Sequence, residues 1–177
     1  MIISAGNEEV FSFARPIGVG LIDSAINLTH IALLDRPSSF VFIGSAGSYN
    51  PNKHKIFDVI TTSSASQIEI SFLKKESYTP IEQIVTASVS QETIVNSSNY
   101  ITTDKISALA FDKLGMEIEN MEFYSVMKVA KEFNIPVIGI FVITNYCDKD
   151  AHQQYLKNIK QAKQILIEHL KNKGYIK

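Results

Sequence analysis

Apolar and polar positions divide the chain into short apolar runs and longer stretches with helical spacing. Residues 1–5 form a first apolar run that ends at Gly6 and predicts a short strand. Asn7, Glu8 and Glu9 follow, then a second short run over 10–14. Leu21, Ala25, Leu28 and Ala32 recur at helical spacing, and Arg36 before Pro37 ends that helix, since a residue preceding proline is pushed out of the helical region. Residues 40–43 are an unbroken apolar run that stops at Gly44-Ser45-Ala46-Gly47. Residues 57–62 predict a strand. Residues 67–72 alternate, with Ile68, Ile70 and Phe72 on one face, and predict a half-exposed strand. Residues 84–88 predict another strand, and 95–103 a polar loop.

From Asp104 the pattern is helical until Gly115, a C-terminal cap. A short strand over 116–119 precedes a helix over 121–133, whose inner face holds Val126, Val129 and Ala130. Residues 137–143, after Pro136, carry no alternation and predict a central strand covered on both faces, ending at Thr144 and Asn145. Asp150 opens the last helix, with Leu156, Ile159, Leu166 and Leu170 as its stripe and Gly174 closing it. Strands alternating with helices predict a three-layer α/β architecture. With no repeat, low-complexity tract or linker, residues 1–177 read as one domain.

Composition narrows the function classes. The chain has 177 residues, 45% apolar and 20% charged, and a net charge of −1, so no general attraction to nucleic acid or acidic membranes is expected. Cys147 is the one cysteine, which excludes an internal disulfide framework and a multi-cysteine zinc site. It reads as a small packing residue, and it fits a cytoplasmic location. No apolar run is long enough to cross a bilayer, and the first residues lack a basic-then-apolar signal pattern. No metal or cofactor motif stands out. Gly18-Val19-Gly20 precedes a helix, but Asp23 occupies the third glycine position of a dinucleotide fingerprint, and no Walker lysine follows. That glycine pair can still present backbone N–H groups to an anion or hydroxyl.

Three places could carry chemistry. The small residues 44–47 at the end of an apolar run allow close approach to the backbone, as in a ligand site or a plain tight turn. Glu9, just past a strand end, is either a solvated acid or a general base. Glu122 is either an acid favoured by the first turn of a helix or a ligand-binding carboxylate.

Six stretches in one order then carry a family resemblance. They are ISAGNEEV (3–10), GVGLIDSAI (18–26), FVFIGSAG (40–47), FDVIT (57–61), NMEFYSVMKV (120–129) and IPVIGIFVITN (135–145). Together they resemble the nucleoside phosphorylase superfamily, in particular its methylthioadenosine/S-adenosylhomocysteine nucleosidase branch. The resemblance implies a mixed, twisted sheet flanked by helices and cleavage of the N-glycosidic bond of a purine nucleoside by water or phosphate. It implies that Glu9 activates water and that Met121 and Glu122 hold the ribose. Tyr100 and Ile101 would flank the purine, Ser45, Ala46 and Gly47 would back the sugar and base, and Asn145 would contact the purine N7. It further implies a homodimer or larger homo-oligomer.

The chain also departs from that family. The nucleosidases have an aspartic acid where Asn145 stands, and an amide can hydrogen-bond but cannot give a proton. Trimeric purine nucleoside phosphorylases use an asparagine there, for 6-oxopurines. Phosphate needs cations, yet Phe42 stands where hexameric phosphorylases have an arginine; Arg15, Lys53, His54 and Lys55 are the nearby candidates. The N-terminal part is trimmed, with only a few residues between Glu9 and Gly18. A degenerate member that binds a nucleoside or a protein partner without turnover is the alternative reading.

Overall fold

The structure is a computed structural model that describes residues 1–86 and 93–177. Among the described residues, nine strands join one mixed sheet. Strand β3 (Phe40–Ser48) is its axis. It runs parallel to β1 (Ile2–Ser4) on one side and to β9 (Val137–Tyr146) on the other. β1 also pairs with the two-residue β2 (Arg15–Pro16), and β9 with β4 (Val59–Thr62). Past Ala46, β3 pairs antiparallel with β8 (Met116–Asn120). From β8 the sheet continues through β7 (Ile94–Ser97) and β5 (Ser64–Ser66) to β6 (Ile84–Thr86).

The absence of alternation in β3 and β9 has a plain cause. Phe40, Phe42, Phe141 and Ile143 face one apolar layer, with α1 (Leu21–Asp35) and α4 (Phe123–Glu132). Val41, Ile43, Ile140 and Val142 face the other, with α5 (Ala151–Asn172). Both faces are covered, so both sets of side chains must be apolar. Phe42, Phe123 and Phe141 pack against one another in tilted and edge-on pairs, with ring centroids 5.1–5.7 Å apart. A smaller cluster gathers Tyr49, Ile68, Phe111 and Met116 with α3 (Lys105–Lys113), whose first turn is capped by the Asp104 carboxylate accepting from the Ser107 N–H at 2.8 Å.

Several expectations are corrected. The run over 40–43 does not stop at Gly44: the strand continues through the small residues to Ser48, because β9 and β8 supply partners along that length. Residues 10–14 hold no strand; the pairing with β1 is made by Arg15 and Pro16. Residues 67–72 are not a strand either. The buried Asn96 amide takes the Ile68 N–H and donates to the Ile68 carbonyl, so the backbone leaves the sheet there and Ile70–Leu73 turn into a short helix, α2. Residues 94–97 form β7 where a polar loop was expected, since Val95 is a buried core residue. Leu156 is exposed rather than part of the inner stripe of α5. Residues 87–88, the end of the strand expected over 84–88, lie outside the described residues.

Candidate active site

The trimmed N-terminal part folds as a turn. After β1, Asn7–Glu9 make a single 3-10 turn, closed by the Glu9 N–H on the Gly6 carbonyl at 2.8 Å. That turn points the Glu9 side chain back at β3. Its Oε1 accepts from the Ser45 N–H at 3.0 Å and from the Ser45 hydroxyl. Its Oε2 is buried without a hydrogen-bond partner among the described residues. Gly44 makes this possible: a Cβ there would stand 2.8 Å from Oε2. Burial pushes the Glu9 carboxyl above the usual carboxylate range, against the two Ser45 hydrogen bonds and the positive charge of Lys163.

Glu122 arrives from the opposite side, at the entry to α4. Asn120 sets it in place. The Asn120 Oδ1 accepts from the N–H groups of Glu122 and Phe123 at 2.9 and 3.0 Å, and its Nδ2 donates to the Ser45 carbonyl at 3.1 Å. One side chain thereby caps the helix and ties it to the central strand. Glu122 Oε1 accepts the Gly20 N–H at 2.9 Å, and the next N–H, Leu21, goes to Asn99 Oδ1 at 2.9 Å. The anion drawn to the glycine pair before α1 is thus a carboxylate of the chain itself. Burial, with the nearby Glu9 charge, pushes the Glu122 carboxyl up to about 7.

Asn145 sits near the end of β9, just past a bulge in its pairing with β3. Its Oδ1 accepts from the Thr144 hydroxyl at 2.9 Å, and its Nδ2 donates to the Tyr146 carbonyl at 3.3 Å. Gly47 is required beside it. A Cβ on Gly47 would lie 2.8 Å from Asn145 Nδ2, 3.0 Å from Cys147 Sγ and 3.3 Å from Glu119 Cγ. Cys147 itself is buried, and burial pushes its thiol well up, so it is a packing residue and not a nucleophile.

All nine residues singled out from the sequence line one cavity of about 270 Å³: Glu9, Ser45, Ala46, Gly47, Tyr100, Ile101, Met121, Glu122 and Asn145. Tyr100 and Ile101 stand at its mouth, 77% and 48% exposed, rather than packed under their loop. The cavity has further lining that sequence reasoning missed. Glu119 and Asn120 come from β8, and His152 and Tyr155 from the start of α5, where their rings stack. Burial and the negative charges of Glu9, Glu8 and Glu122 push the Tyr155 hydroxyl up to about 12. Asn120 carried a usable signal, an Asn three positions before a helix. Glu119 carried none beyond being an acid in a strand.

The cations weighed for phosphate all lie elsewhere. Arg15 pairs with Asp35. Lys53 pairs with Asp112 and Glu117, and His54 with Glu117. Lys55 donates to the Pro51 carbonyl at 2.5 Å. None of the four lines the cavity, and Phe42 is sealed in the core.

The sequence model of the phosphorylase superfamily matches residues 84–172, half of the chain. The chain belongs to the phosphorylase superfamily. Solved structures agree with this superfamily fold. A methylthioadenosine/S-adenosylhomocysteine nucleosidase mutant from Helicobacter pylori, with 5′-methylthioadenosine in its active site, superposes with a TM-score of 0.80 at 16% identity, over 97% of this chain and 95% of that one. A futalosine hydrolase mutant from the same organism gives 0.80 at 17% identity, over 96% and 95%. The corresponding nucleosidase of S. pneumoniae, with a transition-state inhibitor, gives 0.77 at 13% identity, over 96% and 95%. At these identities the likeness is one of fold. Among the described residues, no helix is long and apolar enough to cross a membrane.

Proposed function

We propose that this superfamily member cleaves the N-glycosidic bond of a purine nucleoside, with water as the second substrate. The observation that carries the proposal is the meeting of Glu9, Glu122 and Asn145, from three distant parts of the chain, in one cavity. Glu9 lines the cavity, and its Oε2 has no hydrogen-bond partner among the described residues, which leaves that oxygen free to accept a proton once water reaches it. Glu122, anchored by Gly20, accepts the ribose hydroxyls. Tyr100 and Ile101 close over the base, and Asn145 bonds it. Water is favoured over phosphate because, among the described residues, the lining carries Glu8, Glu9, Glu119 and Glu122 and no lysine or arginine. A dianion would meet carboxylates there without a compensating charge.

The exposed Tyr100 and Ile101 also favour a homo-oligomer in which a second copy covers the mouth of the pocket. The protein acts in solution, in the cytoplasm. One observation favours binding without turnover: the Asn145 amide has no proton to give, and Thr144 and Tyr146 already engage it. Chromatography of reactions with inosine, adenosine, methylthioadenosine and futalosine, each with and without phosphate, separates these cases. Free base released equally in both conditions is the expected result. Release only with phosphate overturns the choice of water. No release, with a thermal shift on adding nucleoside, leaves the binding-only reading.

A further inference from the structure

The cavity has a further carboxylate at the Asn145 end. Glu119 lies on β8, directly opposite Gly47 of β3, and lines the same wall as Asn145. The missing side chain of Gly47 lets the two approach: Asn145 Nδ2 and Glu119 Cγ both lie within 3.3 Å of the point where a Cβ would stand. The rest of the Glu119 environment is neutral. Its Oε1 accepts the Thr102 N–H at 3.0 Å, and the side chains of Thr102, Tyr49 and Cys147 also bond to it. These neutral donors do not offset burial, which pushes its carboxyl up. The polar groups of the cavity thus divide into two ends. Glu9 and Glu122 interact with each other beside Ser45 and Gly20, while Glu119 and Asn145 flank Gly47.

We propose that the Glu119 carboxyl, beside Asn145 at the Gly47 end of the cavity, hands a proton to the leaving base while Asn145 orients the ring. The proposal rests on the nucleoside-cleaving reading of this site. It answers the difficulty that Asn145 creates, since an amide can orient a base but cannot protonate it. The bond between C1′ of the sugar and the base nitrogen breaks, and its electron pair leaves with the base. The Glu119 proton goes to a ring nitrogen of the base, so the base departs neutral. Water bonds to C1′ and loses its proton to Glu9. Solvent then returns a proton to Glu119 and takes one from Glu9, and the site is reset without any oxidant or reductant.

Glu119 also holds the loop that carries Tyr100 and Ile101, through the Thr102 N–H. The test must separate that positioning role from the acid role, and Glu119→Gln does so. Glutamine keeps an oxygen to accept from Thr102 and replaces the acidic oxygen with an amide NH2 that cannot give up a proton. The expected result is a fall in kcat of about 100-fold, the scale of a lost general acid, with KM for the nucleoside unchanged. The loss of wild-type kcat at high pH should disappear with it. Adding Asn145→Asp to Glu119→Gln should return at least tenfold of the lost kcat, on the order of the effect of one restored acid. A kcat for Glu119→Gln near the wild-type value, or a surviving alkaline limb, overturns the proposal.

A second measurement needs no turnover. Calorimetry of free adenine or hypoxanthine binding to the wild-type protein, in two buffers of different ionisation enthalpy at a pH on the alkaline limb of wild-type kcat, where Glu119 is ionised, should report proton uptake, because the base binds the protonated carboxyl. Uptake is to vanish in Glu119→Gln. Binding without uptake, or no binding of either base, overturns the proposal. If the wild-type protein binds base with proton uptake yet releases none from any nucleoside, it is the nucleoside-cleaving reading that fails, and Glu119 stands as a base-recognition acid.

Discussion

At the scale of single residues, burial makes carboxylates chemically useful here. Glu9 and Glu122 are nearly sealed from solvent, at 7% and 3% exposure, and a backbone N–H holds each, Ser45 for Glu9 and Gly20 for Glu122. Glu9 must be ionised to take a proton from water. Its carboxyl is raised, so kcat should rise with pH above the ordinary carboxylate range. Glu9→Gln should keep nucleoside binding and lower kcat by roughly 10²- to 10⁴-fold, read by isothermal calorimetry beside product assay. Intact hydrolysis in that variant refutes the role. Glu122 couples function to stability. Its folded-state carboxyl stands near 7 against 4.5 unperturbed, so the fold binds that proton more tightly than the unfolded chain does. Its contribution is fully present below pH 4.5 and is lost as pH rises through about 7. Above that range the loss is about 3 kcal/mol. Glu122→Gln should therefore raise Tm at pH 8 more than at pH 5 while weakening nucleoside binding; equal shifts at both pH values contradict the assignment.

At the scale of elements, the site is built from ends. The end of β1 supplies Glu9, the end of β8 supplies Glu119 and Asn120, the entry to α4 supplies Glu122, and the end of β9 supplies Asn145. Asn120 is the joint between two of these elements, through its three hydrogen bonds to Ser45, Glu122 and Phe123. Asn120→Ala removes a helix cap and leaves the Ser45 carbonyl without that donor, so urea denaturation should show a loss of about 1–2 kcal/mol. KM for the nucleoside should rise with it, since Glu122 loses its anchor. Gly47→Ala tests the close packing of β3, β8 and β9. The new methyl group would press on Asn145 and Glu119. Base affinity should fall with little change in the circular dichroism spectrum, and unchanged affinity would show that the strands can yield.

At the scale of the whole molecule, two apolar layers hold one sheet, and the cavity opens where the small residues of β3 meet the ends of its neighbours. The open mouth at Tyr100 and Ile101 predicts an assembly. Light scattering should report a dimer or larger species, and a monomer that turns over at full rate argues against a second copy closing the pocket. Much of this was legible along the chain. The unbroken apolar runs of β3 and β9 determined a doubly covered sheet, because only burial on both faces removes alternation. The helical stripes of α1, α4 and α5, and the acids and the amide placed after apolar runs, marked the elements and the candidate site residues. Other features depended on contacts between distant segments. Residues 67–72 alternate like a strand, but the Asn96 amide captures their backbone and bends it into a helix. Phe42 could have been an open position, and its packing against the rings of Phe123 and Phe141 makes it core. Glu119 carries no local mark of function. Only the antiparallel pairing of β8 with β3 places it opposite Gly47 and beside Asn145, since strand register brings together side chains that sequence distance keeps apart.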